Sequence, residues 1–206
     1  MKELFKRYPK LISCRAEIEA ALALLSECFR TDGKLLLCGN GGSADDCEHI
    51  VGELMKNFLK RRPPSADFCA RLGTLGEDAK SLASCLQGAL PAISLPNQSA
   101  LISAFSNDAM ADAVYAQMVY GYGKPGDMLW CISTSGNAKN AVLAAKGARA
   151  MGLRVLSLTG ERESDLSRIS DVTIRVPERE TFKVQELHLP VYHALCAALE
   201  NVFFDA

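Results

Sequence analysis

Two segments far apart in the chain, Cys38-Gly39-Asn40-Gly41-Gly42-Ser43 and Ile132-Ser133-Thr134-Ser135-Gly136-Asn137, carry the residue types of an anion site. Each joins the end of an apolar run to the start of a helical pattern. In an α/β protein that junction lies at the carboxyl edge of a parallel sheet, where helix N-termini present unpaired N–H groups and a positive dipole end. A phosphate suits such a place. Glycines 39, 41 and 42 permit a tight turn and a close backbone approach. Ser43 is positioned to cap the following helix, with Asp46 three residues on as in a capping box. The spacing is neither the dinucleotide fingerprint nor the P-loop, which ends in Gly-Lys-Ser/Thr. A glycine turn with a serine cap would explain either loop alone; two such loops after successive strands favour a phosphate.

His49 and Glu53 follow the first loop. A separation of four puts both side chains on one helix face, where they can share a divalent metal or act as an acid/base pair. A surface histidine paired with a glutamate is the simpler alternative until a third group is found. Candidates stand near the C-terminus, in Val184-Gln185-Glu186-Leu187-His188-Leu189-Pro190-Val191-Tyr192-His193, which holds two of the three histidines. His188 reads as a core histidine with a satisfied hydrogen bond; Gln185, Glu186 and His193 remain open. On a regular helix residues 185 and 193 are about 12 Å apart along the axis, so spacing alone would pair His49 with His188.

These motifs, with Leu158-Thr159-Gly160, resemble in collinear order the sugar isomerase (SIS) domain, and within it the phosphoheptose isomerases. The resemblance covers nearly the whole chain. It implies a flavodoxin-like three-layer fold, doubly wound on a parallel sheet of about five strands, in a single domain over residues 1–206. It implies an aldose–ketose isomerase working through an enediol, with sedoheptulose 7-phosphate and D-glycero-D-manno-heptose 7-phosphate as the expected pair. Glu53 and His193 would be catalytic. Asn40, Gly41, Gly42, Ser43, Asn107, Asp108, Ser133, Thr134, Ser135, Asn137 and Gln185 would bind substrate. His49, Glu53, Gln185 and His193 would hold zinc. A cytoplasmic homotetramer is the assembly the resemblance implies. Some relatives are non-catalytic modules that bind a phosphosugar or a protein such as the replication initiator, and others act on different phosphosugars; retention of Glu53 and His193 favours the enzyme.

The chain departs from the family around the part of the site that would read the sugar. Lys56-Asn57 stand where many members carry an Arg, and Phe182 and Lys183 where an Asp and an Arg are common. Leu59 to Leu90 is longer than in the bacterial lipopolysaccharide enzymes, and its Lys60-Arg61-Arg62 cluster reads as solvated surface.

Composition agrees with one compact unit. The chain has 206 residues, is 49% hydrophobic and has a formal net charge of −1, so it can bury a sizeable core and gives no whole-molecule electrostatic case for nucleic acid or an anionic membrane. The charged start Met1-Lys2-Glu3-Leu4-Phe5-Lys6-Arg7 is unlike a signal peptide, and no apolar run approaches the roughly 20 residues of a membrane span. Eight cysteines without Cys-x-x-Cys spacing read as reduced core residues of a cytoplasmic protein.

The elements that must hold these residues alternate. Strands are expected near 34–39, 91–95, 128–133, 154–159 and 171–176. Helices are expected near 10–30, 43–58, 77–87, 98–121, 137–151, 161–169 and 181–203. Such alternation implies a parallel sheet covered on both faces. The stripe Ile18, Ala21, Leu22, Leu25 and Phe29 of the first helix has no obvious place on a sheet already flanked by helices, which makes residues 1–32 a candidate subunit interface.

Overall fold

The computed structural model describes residues 1–204. Five strands, β1 (Leu35–Cys38), β2 (Ala92–Ser94), β3 (Met128–Ile132), β4 (Arg154–Thr159) and β5 (Val172–Arg175), form one parallel sheet in the order β2-β1-β3-β4-β5. β1 and β3 are buried at every residue, which is why their sequences read as continuous apolar runs. The chain steps outward from β1 to one side and returns to β3 on the other. The strand order therefore reverses between β1 and β3, and a crevice opens at their carboxyl ends.

Side chains alternate across the sheet. Leu35, Leu37, Met128, Trp130, Ile132, Leu156 and Leu158 pack with helices α2 (Arg15–Arg30), α3 (Gly42–Met55) and α10 (Thr181–Phe204). Leu36, Cys38, Leu129, Cys131 and Val155 pack on the opposite face with α7 (Val114–Tyr122) and α8 (Lys139–Ala150).

Several boundaries differ from the sequence pattern. The first helix is three pieces: α1 (Lys2–Arg7), a 3-10 segment opened by Pro9 (Pro9–Cys14), and α2. Proline suits a first helical position but cannot continue a preceding helix. The stripe of α2 is not left over for a subunit interface, since Ile18, Ala21, Leu25, Cys28 and Phe29 are buried in the core and α2 lies against β5 and α10. The helix expected over 98–121 is α6 (Ser99–Asp108), a 3-10 turn (Ala111–Ala113) and α7. Asn107 and Asp108 side chains bond each other at the break, in keeping with the preference of such residues for helix ends. The 161–169 helix shrinks to α9 (Asp165–Ile169), started by a capping box between Ser164 and Ser167. Within 59–90 the expected helix is α5 (Glu77–Cys85), and it is joined by a second, α4 (Ala66–Gly73), capped by Ser65. Neither helix has a buried residue. Six cysteines are buried, while Cys69 is half-buried on α4 and Cys85 exposed on α5; all eight are free thiols.

Candidate active site

The two loops meet at the switch point. Asn40, Ser43, Ile132, Ser133, Thr134, Ser135, Ala138, Thr181 and Gln185 line a cavity of about 170 Å³. Ser43 lies in the first turn of α3, Ala138 caps α8, and Thr181 and Gln185 open α10. Three helix N-termini thus converge on one small polar cavity, a favourable setting for an anion. The backbone enters it through Gly41, at φ 56°, a conformation that favours glycine. A Cβ at Gly42 would stand 2.5 Å from the Gln185 amide. Ser43 is not the cap: Gly41 takes that position, no side chain caps the helix, and Ser43 is buried as the second residue of α3. The loop is braced from outside the cavity. Tyr115 donates to the Gly39 carbonyl at 2.7 Å, and the Asn40 and Asn140 amides pair reciprocally at 2.8 and 2.9 Å.

Helices α3 and α10 run side by side from this cavity, and about 9 Å along α3, six residues at the helical rise, a second cluster appears. His49 Nε2 lies 3.3 Å from Glu53 Oε1 and 3.4 Å from His193 Nε2. One donor atom from each of the three lies within 4.8 Å of the others. Glu53 Oε2 is buried without a hydrogen-bond partner, the Lys56 ammonium standing off at 3.7 Å. Burial, and then the neighbouring His49, hold the His193 imidazolium below its ordinary pKa of 6.5. On its far side His49 Nδ1 meets the Tyr192 hydroxyl at 3.0 Å. Burial pushes the Asp46 carboxyl, beside the same hydroxyl, up to about 6. His193 also forms part of the wall of a larger groove of about 450 Å³ between α1, Phe58, Leu59 and α10.

A third assembly fixes the end of α3. Arg62 and Glu200 are fully buried and bridge at 2.6 Å. Arg62 donates to the carbonyls of Leu54 at 2.8 Å and Glu53 at 2.9 Å, so it closes the C-terminus of the helix that carries the carboxylate. Glu200 accepts in addition from the backbone N–H groups of Phe58, Leu59 and Lys60. Burial raises the Glu200 pKa, but these amides and Arg62 outweigh it and hold the carboxyl below its ordinary 4.5.

The SIS domain model matches residues 10–74 and 65–160. A phosphoheptose isomerase from Rhodospirillum rubrum is 32% identical over 93% of this chain and 89% of its own length. One from Shewanella denitrificans is 34% identical over 91% and 84%. The chain belongs to the SIS domain family, among the phosphoheptose isomerases. The solved phosphoheptose isomerase of Neisseria gonorrhoeae superposes with a TM-score of 0.71 at 28% identity, over 97% of this chain and 98% of that one.

Set against the SIS assignments, the structure sorts the candidate residues. Asn40, Ser43, Ser133, Thr134, Ser135 and Gln185 line the phosphate-sized cavity; Gly41 and Gly42 shape its entrance. Asn137 does not line it: its side chain donates to the Ser135 carbonyl and accepts from the Asp165 N–H, tying the loop to α9. Asn107 and Asp108 are exposed at the end of α6 and do not line it either, because the helix stops there. His49, Glu53 and His193 come together. Gln185 lies against Gly42, about 12 Å before His193 along α10, at the cavity. His188 points into the core with no exposure. Neither of its ring nitrogens makes an ordinary hydrogen bond, contrary to the expected satisfied histidine; burial pulls its pKa down to about 4 against some help from the Thr159 backbone.

Three features escaped the sequence reading. Arg62, expected on the surface, is a core residue. Tyr192 and Asp46 back His49 from behind, and Thr181 joins the cavity. Arg62 sits directly before Pro63-Pro64 and Glu200 at the end of an apolar helix, the one signal in the sequence that a lone carboxylate was to be buried.

Proposed function

We propose that this chain interconverts sedoheptulose 7-phosphate and D-glycero-D-manno-heptose 7-phosphate. The carrying observation is that two of the three helices whose N-termini line the phosphate-sized cavity also bring Glu53, His49 and His193 together, with His49 about 9 Å along α3 from Ser43. The hydroxyls of Ser43, Ser133, Thr134 and Ser135 would grip the terminal phosphate and lend remote binding energy to alignment. Glu53 would take the proton from the carbon beside the carbonyl and return it to the neighbouring carbon. His193 would move the proton between the two oxygens.

The donor set fits a zinc ion: two imidazole nitrogens and a carboxylate face one another, and Glu53 Oε2 is a buried orphan. His49, Glu53 and His193 would hold it, with Gln185 reserved for the phosphate end. When bound, zinc polarises a carbonyl and stabilises negative charge on the enediolate. The reading includes a cytoplasmic homotetramer. Exposed Leu59 and Leu75, at 70% and 76% of full exposure, are available for it, and among the described residues no helix is long and apolar enough to cross a membrane. Solvent deuterium exchange, followed by NMR over a panel of phosphorylated heptoses, hexoses, pentoses and amino sugars, tests the substrate. Fastest exchange into the heptose 7-phosphates is expected. Exchange into none, or fastest into an amino-sugar phosphate, would overturn it.

A further inference from the structure

Six of the eight cysteines are buried, and the two that are not sit on the paired helices of the 59–90 segment: Cys69, half-buried on α4, and Cys85, exposed at the end of α5. The buried thiols are poor reactants. Burial drives the pKa of Cys14, Cys28, Cys47 and Cys196 upward, and a thiol that stays protonated is a weak nucleophile. Cys38 and Cys131 stand 3.6 Å apart across β1 and β3, but neither has any exposure, which closes them to a dissolved oxidant.

The two outer thiols share a place. Helices α4 and α5 lie against each other, and Cys69 and Cys85 line one cavity of about 170 Å³ with Pro63, Pro64 and Gln87. Among the described residues that line it, Arg61 is the one with an ionised side chain, a setting that favours thiolate over thiol. Neither helix puts a residue into the core, so drawing one sulfur onto the other displaces no packed side chain. An exposed thiol with a sheltered one beside it is the arrangement of an attacking cysteine and its resolving partner.

We propose that Cys69 and Cys85 are a dithiol–disulfide pair, oxidised by a small-molecule disulfide of the glutathione type. The Cys85 thiolate attacks one sulfur of the oxidant, the S–S bond of the oxidant breaks, and a mixed disulfide forms at Cys85 as one glutathione thiolate leaves. The Cys69 thiolate then attacks the Cys85 sulfur, and the second glutathione thiolate leaves. The two protons given up by the cysteines end on the two glutathiones, and two electrons pass from the pair to the oxidant. The bridge staples two helices that bury nothing, through a loop over residues 69–85, and so constrains a segment that packing alone does not.

Full-length protein, reduced and desalted, is incubated with glutathione disulfide at pH 8, quenched with acid, alkylated after unfolding and mapped by mass spectrometry. The expected product is an intramolecular Cys69–Cys85 link, two hydrogens lighter than the dithiol and reversed by dithiothreitol, with the six buried cysteines still alkylated. Cys69→Ser is expected to stop at one glutathione on Cys85. Cys85→Ser is expected to react at least about tenfold more slowly, since only the half-buried thiol remains. Neither position contributes to the core, so both variants keep the fold. No reaction, a glutathione adduct that persists on wild-type Cys85 without the link, a link between two chains on a non-reducing gel, or a link through Cys38 and Cys131 would overturn the proposal.

Discussion

Glu200→Gln removes the charge from the most enclosed ion pair in the structure. Both side chains have zero exposure, and the carboxylate serves four donors: three backbone amides at 3.0, 2.8 and 3.1 Å and the Arg62 guanidinium at 2.6 Å. The amide would leave the Arg62 charge buried without its counterion and turn an NH2 group toward groups that themselves donate. Removing one partner of a buried pair costs about 3–5 kcal/mol. For a chain of this size that corresponds to a fall in Tm of about 6–20 °C. The kinetic consequence is specific, because Arg62 holds the Glu53 and Leu54 carbonyls: kcat is expected to fall while KM for the phosphosugar, set at the other end of α3, changes little. The pH dependence follows from the depressed Glu200 pKa. A carboxylate with a lower pKa folded than unfolded contributes fully above the unfolded value and loses that contribution as pH falls through the folded one. The stability gap between wild type and variant should therefore be complete at neutral pH and narrow below the ordinary 4.5. Denaturant melts at pH 7 and pH 3.5, with steady-state kinetics on the variant, measure all three. A loss under about 1 kcal/mol at pH 7 would refute the reasoning, since that is the range of an exposed pair.

Glu53→Gln and His193→Gln should each lower turnover by about a hundredfold or more, with unchanged circular dichroism, as removal of a general acid or base does. Elemental analysis should find zinc in the wild type and little in His49→Ala, and chelation should slow turnover; metal-free protein at full activity would refute the zinc reading. Ser43→Ala with Ser135→Ala should abolish the thermal shift given by heptose phosphates, which at a hundred times Kd amounts to about 2.7 kcal/mol, while ATP and NAD shift the wild type little. His188, with its pKa near 4 in the fold against 6.5 outside it, resists protonation while the unfolded chain accepts it. Stability should therefore fall between pH 6.5 and 4 by on the order of 3 kcal/mol, and His188→Gln should flatten that slope in pH-dependent melts.

Local rules made much of this molecule legible in advance. Leu35–Cys38 and Met128–Ile132 are short apolar runs closed by glycine or serine, and a run buried on both faces can form only an interior strand in such an alternating chain. The loops that follow therefore had to sit together at the sheet's carboxyl edge. His49 and Glu53 share a face because their spacing of four is a property of the helix itself. The alternation of strands and helices, read from residues 34 to 203, set the layers.

Long-range packing decided the rest. His188 and His193 are five residues apart, about 140° around the helix, so only the seating of α10 on the sheet determines which faces α3: His193 meets His49, and His188 enters the core. The stripe on α2 found its place because β5 is an edge strand whose face lies open beside α10. Arg62 reads as surface among Lys60 and Arg61, and only Glu200, 138 residues away, makes its burial possible. Sequence by itself determined the strands, the glycine- and serine-rich loops that follow them and the His49–Glu53 pair, since each depends on neighbours within a turn or a strand. Tertiary structure decided which distant side chains complete them, because a buried charge or an inward-facing imidazole is stable only where the fold supplies its partner.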